Sequence, residues 1–276
     1  MRAALLQITS SDDPVENAVM LRPMVRQAAA EGAGLVLTPE VSNCLSASRT
    51  RQTEVLTDEA DDPVLAMVRE EAARTGVWIA LGSIAVRTDD PDGRFANRSI
   101  LVAPAGEIAA RYDKAHMFDV TLSETESYRE SAGYRPGDRA VLVDTPFGKV
   151  GLTICYDLRF PYLYRRLAQA GAEVLLCPAA FARETGQAHW EPLLRARAIE
   201  CGAYVLAAAQ TGDHKVRRGR ARSTYGHGMA VGPWGEVLVD QGTEPGIACV
   251  DLDLAKVTEA RQKVPSLTHD REISGP

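Results

Sequence analysis

The hydrophobic residues of this chain occur in short apolar runs that alternate with stretches in which an apolar residue returns every three or four positions. Short runs bounded by turn residues are typical of buried strands, and the wider spacing is typical of helices with one buried face. Strands are predicted over residues 3–8 and 35–37, and a helix that begins at Asp13-Pro14 is predicted between them. The alternation predicts an α/β fold with helices on at least one face of a sheet.

The same order of elements returns in the second half of the chain. A predicted strand over residues 150–154 leads to a helix from Pro161, and the next strand ends at Pro178 as the earlier one ends at Pro39. This repeated order predicts two similar halves packed sheet on sheet. The alternative is that the two halves merely use the same common turn residues. Because no linker divides residues 1–276, we expect one domain with a C-terminal tail from about residue 265.

Composition narrows the class of protein. The 276 residues carry a net charge of −6 with 25% charged residues, which is typical of an acidic, soluble, globular protein. The basic run at residues 215–222 lacks interleaved aromatic residues, so we interpret it as a solvated loop and expect no nucleic-acid partner. No stretch is long enough to span a bilayer, and no membrane partner is expected.

Cysteine and histidine usage predicts a reducing compartment and no metal. The five cysteines are an odd number, are widely spaced and include no CxxC pair, which favours free thiols in the cytoplasm. The five histidines form neither an HExxH motif nor a cluster with cysteine, so neither a metal site nor a cofactor is predicted. Residues 3–6 are too short for the apolar core of a signal peptide.

Cys155 is the first candidate for chemistry. It follows the predicted strand over residues 150–154, and Pro161 then opens a helix. A thiol at such a junction is exposed at a sheet edge, where the N–H groups of the following helix favour a thiolate or an oxyanion. The alternative is a buried structural cysteine, which packs as a small hydrophobic residue.

A nucleophilic cysteine needs a base and a group that stabilises negative charge. Glu40 follows a buried strand and a proline, where partial burial would raise its pKa towards that of a general base. Lys114 follows a strand predicted over residues 108–112, where it would pair with a carboxylate, lower the pKa of the thiol and stabilise an oxyanion. Each residue taken alone is also consistent with a solvated loop charge.

Three motifs carry a resemblance to a known family. They are the Leu-Thr-Pro-Glu sequence ending at Glu40, the Tyr-Asp-Lys-Ala-His-Met-Phe-Asp sequence around Lys114, and the Gly-Leu-Thr-Ile-Cys-Tyr-Asp-Leu-Arg-Phe-Pro sequence around Cys155. In this order they resemble the signatures of the nitrilase superfamily of carbon–nitrogen hydrolases. The resemblance implies a four-layer αββα sandwich, a Glu40–Lys114–Cys155 triad, and Glu130 as a second glutamate that holds the lysine. It also implies a homodimer or larger assembly.

Within the superfamily, the motifs at residues 178–181, 186–191, 194–200 and 225–229 look like those of the Nit branch. Residues 196–200 followed by 204–210 are more similar to amidases of deaminated glutathione than to ω-amidases of 2-oxoglutaramate or 2-oxosuccinamate. The departures from the branch are at residues 41–45 and in the basic loop before Tyr225. Both segments are candidates to border the pocket.

The predicted reaction is amide hydrolysis through a thioester. Glu40 would take the proton of Cys155, while Lys114 and the backbone N–H of Tyr156 would bind the oxyanion. We expect a small-molecule amide that bears a carboxylate, with Arg159 as the cation that orients it.

Phe181 would form a wall of the pocket. For Arg159, the alternative to a role in substrate binding is a structural ion pair with Asp157 or Glu40. Three other readings of the chain remain. They are a cysteine–histidine hydrolase such as a glutaminase, an enzyme for nitriles or N-carbamoyl amino acids, and an inert scaffold.

Overall fold

Two six-stranded sheets form the centre of the fold in a computed structural model that describes residues 1–124 and 126–275. Strands of the first sheet are, in chain order, β1 (Arg2–Gln7), β2 (Leu35–Leu37), β3 (Trp78–Val86), β4 (Ala96–Val102), β5 (Ile108–Asp113) and β16 (Gly246–Asp251). Their spatial order is β16-β1-β2-β3-β4-β5, and β1, β2 and β3 run parallel.

The second sheet repeats this plan. Its strands are β8 (Val141–Thr145), β9 (Gly148–Leu152), β10 (Val174–Leu176), β11 (Tyr204–Ala207), β14 (Met229–Val231) and β15 (Val237–Asp240). They are ordered β15-β14-β11-β10-β9-β8, and β9, β10 and β11 run parallel. Two small hairpins are formed by β6 (Asp119–Thr121) with β7 (Ser127–Arg129), and by β12 (Thr211–Asp213) with β13 (Ser223–Tyr225).

Helices lie on the outside of the sheets, and some of them begin and end at residues that the sequence marks. They are α1 (Pro14–Ala30), α2 (Arg49–Val55), α3 (Pro63–Thr75), α4 (Pro161–Gln169), α5 (Arg183–Cys201) and α6 (Ala255–Lys263). The side chain of Asp13 caps α1 and that of Asp62 caps α3, each ahead of a proline at the first helical position. Gly76 ends α3 in the left-handed conformation that glycine adopts without steric cost.

Alternate residues of each strand separate two cores. Leu6 and Val36 pack in one cluster with α1 and α3, whereas Leu5 and Leu37 pack in another with residues of the second sheet, α4 and α5. This alternation places helices outside and the two sheets face to face inside. The predicted αββα sandwich with two similar halves is therefore confirmed.

The structure differs from the sequence prediction around the candidate nucleophile. Strand β9 ends at Leu152, two residues earlier than predicted, and a 3₁₀ turn over Cys155–Arg159 leads to α4. The segment 118–139, predicted as a loop, contains the β6–β7 hairpin and a 3₁₀ turn over Glu130–Ala132. Thr125 of this segment and Pro276 of the predicted tail lie outside the described residues.

Gly82 of β3 lies where the strand ends of the two sheets meet. A Cβ at this position would lie 1.9 Å from the carbonyl oxygen of Thr38 and 2.6 Å from Cβ of Pro178. We expect Gly82→Ala to lower the free energy of unfolding by about 3 kcal/mol, because backbone must move to admit the methyl group. Urea unfolding beside Gly246→Ala, in the same sheet with open space around it, tests this. Equal midpoints for the two variants would contradict the close approach at Gly82.

Candidate active site

The carboxyl ends of parallel strands bring the candidate residues together. Glu40 follows β2 by three residues and Cys155 follows β9 by three residues, so the two loops meet where the sheets face each other. Lys114 directly follows β5, and Glu130 begins the 3₁₀ turn after β7. All four predicted catalytic residues line one cavity of about 500 Å³.

The ammonium group of Lys114 lies between two carboxylates. Its Nζ is 2.9 Å from Oε1 of Glu40 and 2.9 Å from each carboxylate oxygen of Glu130, and the lysine is 2% exposed. Burial alone would lower the pKa of Lys114, but the charges of Glu130 and Glu40 raise it well above its usual value. Lys114 therefore carries a permanent positive charge in a dry site.

The Glu40 carboxylate is held by donors from three directions. Oε1 accepts from Lys114 and from Nδ2 of Asn97 at 2.9 Å, and Oε2 accepts from the backbone N–H of Ala180 at 2.8 Å. Burial raises the pKa of Glu40, but attraction to Lys114 and hydrogen bonds from Lys114 and Cys155 outweigh it, so the net shift is downward. The predicted upward shift is wrong, because the nearby cation exceeds the effect of desolvation.

The Cys155 thiol is buried and interacts with this carboxylate. Burial and the negative charge of Glu40 raise the pKa of Cys155 well above its usual value, and the opposing attraction to Lys114 is smaller. Lys114 lowers the pKa of this thiol, as predicted, but burial and the charge of Glu40 have the larger effect, so the net shift is upward. The resting site holds a neutral thiol next to an ionised carboxylate, which is the arrangement of a nucleophile and its general base.

Asp157 ties the cysteine loop to the lysine loop. Its carboxylate accepts hydrogen bonds from the Ile154 N–H at 2.9 Å and the Tyr112 hydroxyl at 2.7 Å, and from the His116 N–H at 3.1 Å. Nδ1 of His116 lies 2.6 Å from the same carboxylate. These contacts hold the backbone before Cys155 against the segment that carries Lys114.

Two residues of the site have an unfavourable backbone conformation. Val41, next to Glu40, and Cys155 itself both have φ of 48°, in the left-handed region that favours glycine. The N–H of Cys155 donates to the carbonyl of Pro178 at 2.9 Å, and the N–H of Val41 donates to the Ser83 hydroxyl at 2.8 Å. Surrounding hydrogen bonds thus hold the reactive loops in a strained shape.

Two of the three residues predicted to bind the substrate lie in the cavity wall. Tyr156 and Phe181 line the cavity, but Arg159 is not among the described residues of its wall. The Arg159 guanidinium carbon lies 5.9 Å from the Tyr156 ring centre and 5.4 Å from that of Phe181, and Nη2 is 3.2 Å from Nδ1 of His189. Among the described residues, the polar partner of Arg159 is His189 rather than Asp157 or Glu40.

Asn97 and Arg222 are among the polar residues of the cavity that the sequence did not predict. Asn97 is the second residue of β4 and binds both glutamates, at 2.9 Å to Glu40 and 3.5 Å to Glu130. It precedes Arg98 and Ser99, ahead of the apolar run of the strand, so the sequence pattern does not mark it as a buried residue of the site. Arg222 lines the cavity although its run of basic residues was interpreted as a solvated loop. That basic loop borders the pocket, as the resemblance suggested.

The residues that the structure describes show neither a metal cluster nor a membrane span. Among residues 1–124 and 126–275, no group of three or more His, Cys, Asp or Glu side chains is placed to hold a metal ion. Over the same residues, no helix has the length and apolar character needed to cross a bilayer.

We expect Glu40→Gln to shift the titration of the Cys155 thiol to lower pH. The substitution removes the negative charge that raises the pKa of Cys155, while Glu130 still binds the charged Lys114. Absorbance of the thiolate near 240 nm, corrected with Cys155→Ala protein in each background, follows the titration. An unchanged midpoint would show that Glu40 does not act on the thiol.

These features define an enzyme that cleaves carbon–nitrogen bonds. Residues 2–262 match the family model for carbon-nitrogen hydrolase, so the chain belongs to this family and the resemblance of its motifs is confirmed. The chain is 40% identical to deaminated glutathione amidase from Yersinia enterocolitica, over 98% of this chain and 93% of that protein.

Solved structures give the same result. The NitFhit protein of C. elegans superposes with a TM-score of 0.89 and is 34% identical, and the alignment covers 98% of this chain and 65% of that one. A variant of the amidase from Nesterenkonia sp. AN1, with acrylamide added at its active-site cysteine, superposes with a TM-score of 0.78 at 26% identity. That alignment covers 96% of this chain and 98% of the amidase.

Proposed function

We propose that the chain is a cysteine-dependent amidase in which Cys155 is the nucleophile, Glu40 the general base and Lys114 the stabilising cation. The observation that carries the proposal is the meeting of the Cys155 thiol, the Glu40 carboxylate and the Lys114 ammonium in one buried cavity. The acrylamide adduct at the active-site cysteine of the Nesterenkonia amidase supports the role of the thiol.

In the first half of the proposed reaction, Glu40 takes the proton of Cys155 as sulfur attacks the amide carbonyl. The developing oxyanion is bound by the Lys114 ammonium and by the N–H of Tyr156, which lies in the first turn of the 3₁₀ segment and lacks an acceptor within it. The N–H of Cys155 is already bonded to Pro178, so it does not serve as the donor.

In the second half, Glu40 gives its proton to the departing amine and leaves a thioester on Cys155. Water then enters, loses a proton to Glu40 and hydrolyses the thioester. Glu130 keeps Lys114 charged and in position throughout, because both of its carboxylate oxygens are 2.9 Å from Nζ. Glu130 is therefore proposed as a positioning residue.

The proposed substrate is deaminated glutathione, which would be hydrolysed to 2-oxoglutarate and cysteinylglycine. The name of the Yersinia enterocolitica relative supports this choice. Of the residues that the structure describes, four cationic and two anionic side chains line the cavity, so a positive site exists in a protein of net charge −6. A volume of about 500 Å³ suits a small molecule, and the surplus of positive charge suits carboxylates.

Product analysis tests the proposal. Purified protein is incubated with deaminated glutathione and, separately, with 2-oxoglutaramate, while 2-oxoglutarate and ammonia are measured. We expect higher kcat/KM for deaminated glutathione, with 2-oxoglutarate formed and no ammonia. A preference for 2-oxoglutaramate with stoichiometric ammonia would instead identify an ω-amidase, and activity on neither compound would contradict the proposed substrate.

We further propose that residues 1–276 form one domain that acts in the cytoplasm as a homodimer or larger assembly. The core shared by both sheets supports one domain, and the five free cysteines suit a reducing compartment. Tyr162 at the start of α4 and Ile199 in α5 are 63% and 56% exposed, which supports an interface across these helices.

A further inference from the structure

A row of three aromatic rings borders the cavity and has an arginine at each end. Ring centres of Tyr156 and Phe118 are 5.1 Å apart, and those of Phe118 and Tyr128 are 5.0 Å apart. The guanidinium carbon of Arg159 lies 5.9 Å from the Tyr156 ring, and that of Arg222 lies 5.5 Å from the Tyr128 ring. Each of the two cations therefore lies beside one of the outer rings.

The guanidinium of Arg222 is anchored to the protein at one side while the residue lines the cavity. Its Nη2 donates to the carbonyl of Ala180 at 2.6 Å, whereas its buried Nε has no hydrogen-bond partner among the described residues. In the same loop, Arg218 forms an exposed ion pair with Glu54 at 2.7 Å. Because a guanidinium binds a carboxylate through two parallel N–H groups, Arg222 presents an anion-binding group on the cavity wall.

The position of Arg222 assigns it to one side of the reacting bond. Ala180 links it to the general base, since the Ala180 carbonyl accepts from Arg222 and the Ala180 N–H donates to Glu40. In the proposed reaction Glu40 protonates the departing nitrogen, so the amine product leaves on this side. A dipeptide places its carboxylate within about 7 Å of that nitrogen, which keeps the carboxylate inside the same cavity.

We propose that Arg222 binds a carboxylate on the amine product and thereby selects amides that release a peptide over primary amides that release ammonia. This inference rests on the proposed function and extends it to the selectivity of the site.

The test compares two substrates that differ in one charge. Deaminated glutathione and its C-terminal glycinamide analogue are assayed with wild type, Arg222→Gln and Arg222→Lys, and with Arg218→Gln as the matched control in the same loop. We expect wild type to favour the free acid by about 10- to 100-fold in kcat/KM, mainly through KM. In Arg222→Gln the ratio should fall to within about twofold of unity, because the charged partner is gone.

Arg222→Lys and Arg218→Gln test whether the preference depends on the paired N–H groups of Arg222 in particular. Arg222→Lys keeps the charge without the paired N–H groups, so its ratio should lie between those of wild type and Arg222→Gln. Arg218→Gln should keep the wild-type ratio. The inference is overturned if wild type does not distinguish the two compounds, or if either Arg222 variant keeps the full wild-type preference. Failure of wild type to hydrolyse either compound would instead contradict the proposed substrate, on which this inference rests.

Discussion

Cys155→Ala protein is expected to lose at least about 10⁴-fold in amidase kcat/KM while it keeps its fold. The proposed reaction has no covalent step without Sγ, and Glu40 with Lys114 alone would offer only binding and charge stabilisation. Alanine has the same backbone preferences as cysteine at φ of 48°, so the strain is unchanged. We expect the free energy of unfolding to change by about 1 kcal/mol.

A matched control separates loss of the nucleophile from loss of any buried thiol. Cys201, at the end of α5, is 1% exposed and does not belong to the described cavity wall. Cys201→Ala should alter stability by a similar amount and keep kcat/KM close to wild type. Near-normal turnover by pure Cys155→Ala protein would rule out the thioester mechanism.

Lys114→Met is expected to damage both stability and catalysis. It leaves the buried carboxylates of Glu40 and Glu130 without their shared cation, which typically costs about 3–5 kcal/mol in the free energy of unfolding. Loss of an oxyanion donor lowers kcat by about 10²- to 10³-fold. Denaturant unfolding and steady-state kinetics at pH 7 measure the two effects. Glu40→Gln is the control for stability, because it leaves Lys114 paired with Glu130.

The difference in stability between Lys114→Met and wild type should change with pH in one direction. In wild type the pKa of Glu40 is lowered, so its stabilising contribution is present above the pKa of the unfolded chain and is lost as pH falls through the folded pKa. Without Lys114, burial raises the pKa of Glu40, and protonation then favours the folded state. The stability gap between Lys114→Met and wild type should therefore narrow from pH 7 to pH 5. A constant gap would contradict this account.

The sequence predicted those features that depend on neighbouring residues, such as helix caps and the ends of apolar runs. Helix starts at Asp13 and Asp62, and apolar runs that stop before Glu40 and Cys155, are local signals, so the sandwich and the candidate triad residues were predictable. The carboxylate of Glu40 and its partner Asn97 are 57 positions apart, and no local pattern reports such a contact.

The direction in which the pKa of Glu40 shifts was not predictable from the sequence for a related reason. It depends on whether the attraction of Lys114, at 2.9 Å, exceeds the cost of burial, and this balance is set by three-dimensional distances. Arg222 was missed because a basic run in a loop has the same sequence pattern whether its last arginine faces solvent or a cavity.

The strained backbone at Val41 and Cys155 affects the balance between thermal stability and catalytic activity. A residue other than glycine in the left-handed region carries a strain of about 1–2 kcal/mol, which glycine would relieve. In a gene library screened only for survival at high temperature, we expect glycine to be enriched at position 155 but not at position 41, because Val41 packs in a buried apolar cluster and its loss would offset the relief of strain. At position 155 this enrichment would remove the nucleophile while the fold grew more robust, so such a screen needs a parallel assay of turnover to keep an enzyme.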